Sequence, residues 1–148
     1  ALETLAVAAQ RAFAQAGVTA ADVDVVELYD AFTINTILFL EDMGFCPKGE
    51  GGRFVSGGNI APGGSLPVNT GGGPLSSSYM WGMTPIAEGV AQARGTAGER
   101  QVPNIKFGIS TGVGAVTNTA KVEPGANVVV FNAPDGVVLV DSGAEAFD

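Results

Sequence analysis

The sequence predicts an α/β fold in which a mixed sheet is flanked by helices. The first part of the chain alternates stretches of helical apolar spacing with a short β-branched run. The last part is rich in strand patterns and contains a hairpin signal. Helices that alternate with strands and then give way to a β-rich end are typical of layered α/β domains. Its 148 residues and 46% hydrophobic content suit a compact core.

The first elements form an α-β-α unit. Apolar residues recur at three- and four-residue spacing over residues 5–16, which predicts an amphipathic helix that ends at Gly17. A β-branched run at residues 25–29 is short enough for a buried strand. Helical spacing returns over residues 32–43, and Gly44 is expected to end that helix. The residues it offers to the core are Ile34, Ile37, Leu38 and Leu40.

A glycine-rich connector follows the second helix, over residues 45–75. Such a segment is flexible, or it brings backbone close to a ligand. A third helix is predicted from about Thr84, which is expected to cap it, with Pro85 in the first turn.

The end of the sequence is expected to be mostly strand. Residues 105–109 form a β-branched and aromatic run, and residues 110–114 are expected to form a loop after it. Residues 127–131 and 136–140 flank a turn-like Asn-Ala-Pro-Asp-Gly stretch, which predicts a hairpin.

Composition narrows the functional classes. Seven Lys and Arg against 15 Asp and Glu give a net charge of −8, which disfavours nucleic-acid binding. The sequence holds one cysteine and no histidine, so an internal disulfide, an ordinary zinc site and the usual hydrolase triads are excluded within it. Neither a membrane span nor a signal peptide is indicated, and we expect a cytoplasmic protein. The opening Ala1, in place of methionine, suggests a cleaved product, a fragment or part of a split protein.

Few residues are candidates for chemistry. Cys46, near Lys48, is more often a packing residue than a nucleophile. Gly112 and Gly114 lack the third glycine of a dinucleotide motif. Tyr29 and Tyr79 are the two tyrosines, and each lies at a predicted element boundary. From residue type alone, both suit amphipathic core positions better than proton transfer.

Three motifs resemble those of the thiolase superfamily. Val-Val-Glu-Leu-Tyr-Asp-Ala-Phe at residues 25–32 is similar to the strand-to-helix motif of thiolases, with Tyr29 at the Asn or His position. Asn-Thr-Gly-Gly-Gly at residues 69–73 resembles the segment ahead of the catalytic Gly-His-Pro, which Ser-Tyr-Met replaces around Tyr79. Residues 110–114 resemble the loop that carries the catalytic cysteine of thiolases, but the cysteine itself is absent here.

The tyrosine substitutions, with further blocks up to about residue 115, closely resemble the lipid-transfer-protein-type aldolases of bacterial steroid side-chain degradation. The resemblance implies retro-aldol cleavage of a steroid β-hydroxyacyl-CoA to a ketosteroid and propionyl-CoA. Tyr29 and Tyr79 would be the acid/base pair, in an order that the sequence leaves open. The residues expected to bind or orient substrate are Asp30, Asn69, Gly72, Gly112 and Gly114. Asp30 also suits a helix cap.

The same resemblance implies what surrounds the chain. We expect residues 1–120 to be a thiolase-like C-terminal domain that lacks its first strand, and residues 121–148 to be a divergent hairpin and tail. The expected partners are an N-terminal thiolase half, a homodimer mate and an OB-fold, zinc-ribbon protein that binds acyl-CoA. No cofactor is expected, because the CoA thioester is the substrate, and any zinc belongs to the partner. The alternatives are a non-catalytic lipid- or CoA-binding or scaffold subunit and an acyltransferase.

Overall fold

The fold comes from a computed structural model that describes residues 3–80, 82–114, 125–132 and 136–138. The predicted turn at residues 133–135, the last two residues of the second hairpin strand, and the tail at 141–148 lie outside the described residues. The division at residue 120 also falls outside them and stays a prediction.

Three helices of 10 to 14 residues and two single-turn helices lie within the described residues. Helix α1 spans Glu3–Ala16, and α2 spans Thr33–Asp42. Two single-turn helices follow, α3 at Gly51–Phe54 and α4 at Gly73–Ser76. Helix α5 spans Met83–Ala93. The remaining helical pieces are 3-10 turns at Ala20–Asp22, Ser56–Gly58 and Gly98–Arg100.

Gly17 and Gly44 follow the first two helices in left-handed backbone conformations, with φ of 68° and 83°. Such angles cost a glycine little, so both helices end where the sequence predicted.

A four-stranded mixed sheet of order β1-β2-β3-β4 lies between the helices. The strands are β1 (Val25–Glu27), β2 (Phe107–Gly114), β3 (Gly125–Asn132) and β4 (Gly136–Val138). Strands β1 and β2 run parallel, whereas β2 with β3 and β3 with β4 pair antiparallel. The predicted mixed sheet flanked by helices is confirmed, and so is the pairing of the hairpin strands.

The predicted loop at residues 110–114 was wrong, because these residues continue strand β2. They pair with β3 along their whole length, from Ser110 opposite Val129 to Gly114 opposite Gly125. Glycine disfavours a strand locally, but the partner strand satisfies the backbone groups and decides the structure.

Helix α1 packs against the face of the sheet formed by Val26 and Ile109, both fully buried. Because successive strand residues point to opposite faces, Glu27 projects to the other face, toward α5. The core around Val26 includes small and apolar residues of the first two helices, among them Leu5, Ala8, Ala12, Phe39 and Leu40. Ile34 was expected in the core as well, but it is 52% exposed. Within the described ranges, no helix is long and apolar enough to cross a membrane.

Candidate active site

Tyr29 is held at the end of strand β1. It lies two residues beyond Glu27, where the β-branched run stops, and its backbone N–H donates to Thr111 Oγ1 of β2 over 3.4 Å. The side chain is only 8% exposed. The parallel neighbour strand therefore fixes the backbone of Tyr29, and the core surrounds its ring.

Tyr79 reaches Tyr29 from the segment between α4 and α5. The two phenolic oxygens are 2.6 Å apart, and the ring centroids are 6.2 Å apart at an angle of 51°. Thr84 of α5 holds the segment on either side of Tyr79, since its hydroxyl donates to Ser78 O over 2.5 Å and accepts the Met80 N–H over 3.3 Å. The structure thus joins two tyrosines that are 50 residues apart in the sequence.

The sequence predicted that Thr84 caps α5, and this was wrong. The helix begins at Met83, and Gly82 occupies its N-cap position.

The two tyrosines differ in their contact with water. Tyr79 is 59% exposed, whereas burial, reinforced by the hydrogen bond to Tyr79, raises the pKa of Tyr29 to about 12. Removal from water disfavours the charged phenolate, so Tyr29 holds its proton at neutral pH. One phenol of the pair is therefore buried and neutral, and the other is open to an arriving substrate.

Asn69 fastens the connector to the end of β1. Its backbone has a left-handed φ of 53°, which asparagine tolerates better than most residues. The Asn69 N–H donates to Val26 O over 2.9 Å, and its Oδ1 accepts the Leu28 N–H over 2.6 Å. Both bonds lie beside Tyr29, so Asn69 positions the backbone that carries the tyrosine.

Asp30 ties α4 to the same place. It is buried, and its Oδ1 accepts the Leu75 N–H over 3.2 Å. Gly73, with φ of 62°, packs so closely that a Cβ there would collide with the Asp30 carboxylate. The alternative interpretation of Asp30 as a helix cap is wrong, because Phe32 occupies the N-cap position of α2.

The glycines expected to bind substrate lie at two places. Gly72 is in the tight turn ahead of α4, where its N–H donates to Asn69 O over 2.8 Å. Gly112 and Gly114 lie within strand β2, opposite Asn127 and Gly125 of β3. Any role of these glycines in binding stays a prediction.

A buried polar network behind the tyrosines was not anticipated from the sequence. Glu27 is 1% exposed, and its Oε1 accepts the Thr70 N–H over 3.1 Å and lies 2.6 Å from Thr70 Oγ1. Thr70 Oγ1 also lies 3.0 Å from Glu88 Oε1 and accepts a hydrogen bond from Gln92 over 2.9 Å. Arg100 donates to both oxygens of Glu88. A lone acid inside a β-branched buried strand was the available signal for this network.

A cavity of about 180 Å³ borders this network. Glu27 and Glu88 line one part of it, and Ser78 and Met80, the neighbours of Tyr79, line another. Two larger clefts, of about 640 and 720 Å³, are lined mainly by residues of the connector and the 3-10 turn near Arg100, and neither tyrosine lines any of the three cavities. The small cavity is the one that both neighbours of Tyr79 line, so we associate it with the site.

Exposed apolar side chains lie on the segments that meet at the tyrosine pair. We call them the apolar rim: Phe32, Ile34, Leu75, Met80 and Met83, each at least 50% exposed. Apolar side chains concentrated at one place on a surface mark contact with a ligand or another protein surface.

Cys46 has no place in the site. It is buried, and burial, with the nearby Glu41 and Glu50 charges, raises the pKa of its thiol. Its expected neighbour Lys48 instead forms an ion pair with the buried Asp42. The packing interpretation of Cys46 fits these surroundings. Over the described part of the chain, no three His, Cys, Asp or Glu residues group closely enough to hold a metal ion.

Comparison with known proteins places these features in a family. A family model described as "Thiolase C-terminal domain-like" matches residues 1–123. A 17-hydroxy-3-oxo-4-pregnene-20-carboxyl-CoA lyase of Mycobacterium tuberculosis is 48% identical over 96 residues, which cover 65% of this chain and 25% of the relative. An acetyl-CoA acetyltransferase of Methanothermobacter thermautotrophicus is 43% identical over 118 residues, covering 78% of this chain and 31% of the relative.

A solved structure titled "Ltp2-ChsH2(DUF35) aldolase" superposes with a TM-score of 0.73 at 32% identity. The match covers 93% of this chain and 32% of that one. This chain thus spans about a quarter to a third of the length of these proteins.

Proposed function

The chain belongs to the thiolase C-terminal domain-like family, and from this premise we propose that it carries the acid/base residues of a retro-aldol lyase. The proposed substrate is a β-hydroxyacyl-CoA with a steroid side chain, and the products are a ketosteroid and propionyl-CoA. The observation that carries the proposal is the 2.6 Å contact between the phenolic oxygens of Tyr29 and Tyr79. The sequence has no histidine, so it cannot supply the catalytic histidine that thiolases use.

The proposed cleavage begins with removal of a proton from the tertiary hydroxyl of the substrate. The oxygen then forms the ketone, the bond between the β carbon and the α carbon breaks, and its electron pair moves into the thioester as an enolate. A proton delivered to the α carbon completes propionyl-CoA. The hydroxyl proton removed in the first step and the proton added in the last step balance, so no cofactor is needed.

The different surroundings of the two phenols suggest how they divide the work. Tyr79 is exposed, so we assign it the contact with the substrate hydroxyl, because water and substrate can stabilise a phenolate there. Tyr29 keeps its proton because of its raised pKa, and we assign it the donor role in the hydrogen bond between the two phenolic oxygens. A donor fixed in advance lowers the cost of charge on its partner during reaction. Asp30 and Asn69 act as positioning residues, and we propose that Gly72, Gly112 and Gly114 contact the substrate from the backbone.

The working enzyme is proposed to be larger than this chain. The relatives are three to four times as long, and one related structure is titled as an aldolase together with a DUF35 protein. Tyr79 and the apolar rim are exposed, which suits a surface that a further domain covers. We propose that an N-terminal thiolase half, a homodimer mate and an OB-fold, zinc-ribbon partner complete the site, and that any zinc belongs to that partner.

The decisive experiment combines the chain with an N-terminal thiolase half and an OB-fold partner and supplies a steroid β-hydroxyacyl-CoA. We expect propionyl-CoA and ketosteroid in equal amounts. Tyr29→Phe and Tyr79→Phe should each lower kcat/KM by about 10²–10⁴-fold. The double variant should lose little more than either single variant, because the two phenols act as a unit. Ser56→Ala removes an exposed hydroxyl outside the pair and serves as the control.

Three results would contradict the proposal. Full cleavage by both Tyr→Phe variants would remove the tyrosines from the mechanism. Tight CoA-thioester binding without cleavage by the assembled native protein would instead favour a non-catalytic binding subunit. Acyl transfer to free CoA in the same assay would identify an acyltransferase.

A further inference from the structure

Glu27 is a buried carboxyl that the proposed tyrosine chemistry does not use. It is 1% exposed and lies in strand β1, two residues before Tyr29. Its contacts are with Thr70 of the connector, and through Thr70 it reaches Glu88 of α5. An isolated charge at this depth is costly, so the group needs either a cation or a proton of its own.

Counting protons decides between these two. Thr70 Oγ1 lies 2.6 Å from Glu27 Oε1 and 3.0 Å from Glu88 Oε1, but a hydroxyl donates one hydrogen bond. The Gln92 amide already donates to the same oxygen. If both carboxyls were ionised, Thr70 could donate to only one of them, and its hydroxyl oxygen would face the other carboxylate oxygen with no hydrogen between them. A protonated Glu27 that donates to Thr70, with Thr70 donating to Glu88, gives each of these two contacts one donor and one acceptor.

The charges around the network favour the proton on Glu27. The charged groups that act on Glu27 are Glu88 of α5 and Arg100 of the 3-10 turn. Arg100 donates to both Glu88 oxygens, at 3.2 and 3.1 Å, which keeps Glu88 as the anion. Burial opposes ionisation of Glu88, but hydrogen bonds from Arg100, Gln92 and Thr70 outweigh it and lower its pKa. Burial also raises the pKa of Glu27, to about 8, and the Glu88 charge adds to this.

We propose that Glu27, as a neutral carboxylic acid, is a positioning residue that holds the turn at residues 69–73 and thereby sets the contact between Tyr29 and Tyr79. This inference rests on the proposed function for its effect on catalysis. Its structural part, a protonated Glu27 that controls the tyrosine contact, stands independently of that function.

The connection from Glu27 to the tyrosines is short. Glu27 binds Thr70, and the adjacent Asn69 binds Val26 and Leu28, so three successive residues of β1 and its end hold the turn. The same turn leads through Gly73 and α4 to Tyr79. Ionised Glu27 would repel Glu88 across Thr70 and release this attachment. The Ser110 hydroxyl, opposite Glu27 in β2, has no partner among the described residues and does not replace it.

The first test uses the assembled enzyme described above. Glu27→Gln keeps a neutral group that donates and accepts hydrogen bonds, whereas Glu27→Met keeps similar volume without them. We expect the activity of the native protein to decline as pH rises through about 8, and we expect Glu27→Gln to retain kcat near neutral pH and to lack this decline. We expect Glu27→Met to lower kcat by roughly 10²-fold with little change in KM, because it misplaces the tyrosines. An unchanged alkaline decline in Glu27→Gln would overturn the proposal.

The second test needs no activity and uses this chain with ¹³C-labelled tyrosine. Two tyrosines give two ring signals, which Tyr79→Phe assigns. We expect both signals to shift together with pH in the native chain, with the midpoint of Glu27, and to stay constant in Glu27→Gln. Glu99→Gln, an exposed acid beside Arg100, is the control and should leave the midpoint unchanged. Tyrosine signals that do not respond to Glu27 contradict the inference, whereas a response without cleavage activity contradicts only the proposed function.

Discussion

Val26 and Glu27 are neighbours in strand β1 and are equally buried, but Val26 packs against apolar side chains whereas Glu27 contacts polar groups. Val26 is 0% exposed and packs among apolar residues of α1 and α2. Glu27 is 1% exposed and contacts Thr70, Thr70 also contacts Glu88, and Glu88 in turn accepts hydrogen bonds from Arg100. We call these sides of the sheet the apolar face and the polar face.

The difference separates stability from function. The apolar face gains from any well-packed side chain of suitable size, and it does not depend on pH. The polar face depends on each donor meeting one acceptor, and it holds the turn that leads to Tyr79. Damage to the first face is expected to unfold the chain, whereas damage to the second is expected to misplace the tyrosines first.

Ile109→Ala should have the largest effect on stability. Ile109 is fully buried on the apolar face, and loss of its side chain there leaves a cavity. We expect the free energy of unfolding to fall by about 2–5 kcal/mol. Urea unfolding of the chain measures this, and Val7→Ala, at a position 41% exposed in α1, should change it by less than about 0.5 kcal/mol. A similar loss in both variants would show that the apolar face is not where stability is concentrated.

The same division explains what the sequence could predict. Helices α1 and α2 follow from apolar spacing, because the faces they bury repeat with the period of the helix. Helix α5 was placed by the threonine and the proline near its start. Apolar spacing did not predict that β2 continues from Ser110 to Gly114, because these residues are held in a strand by pairing with β3, which is distant in sequence. Tyr29 and Tyr79 were identified through resemblance, but their contact across 50 residues was not visible from spacing.

The polar face escaped prediction for a similar reason. Thr70, Glu88 and Arg100 look like ordinary surface residues in sequence, since each gains its role from the fold that brings it into the network behind Glu27. Asp30 was noticed, but its partner Leu75 is 45 residues away, so its role as an attachment for α4 could not be separated from capping.

A pH titration of stability should distinguish the two faces. The pKa of Glu27 is raised from 4.5 to about 8 in the folded chain, so the folded state binds the proton more tightly than the unfolded state. Its contribution is greatest at acid pH and is lost as pH rises through about 8. Each pKa unit corresponds to about 1.4 kcal/mol, so a loss of a few kcal/mol is expected. Unfolding measured from about pH 5 to 9 in native and Glu27→Gln chains isolates this dependence, and parallel curves would contradict it.

Gly73→Ala tests the polar face by crowding it. Gly73 has φ of 62°, and an added Cβ would meet the Asp30 carboxylate and the Asn69 amide. We expect a loss of about 2–3 kcal/mol, of which about 1–2 kcal/mol is the cost of left-handed backbone. Gly57→Ala is the matched control, because φ is 69° there and nothing lies within 4 Å. Equal losses in the two variants would mean that the contact with Asp30 has no effect beyond backbone strain.

Substitution of Cys46 should have the smallest effect on activity and stability, because Cys46 is a buried packing residue outside the tyrosine pair. Burial raises the pKa of its thiol, and the reactive thiolate is therefore scarce at neutral pH. We expect iodoacetamide to alkylate the folded chain much more slowly than the urea-unfolded chain, which serves as the control. Cys46→Ala should leave cleavage activity of the assembled enzyme unchanged within about twofold and cost about 1 kcal/mol of stability. Rapid alkylation of the folded chain, accompanied by loss of activity, would instead place a nucleophile outside the tyrosine pair and extend the functional region beyond the polar face.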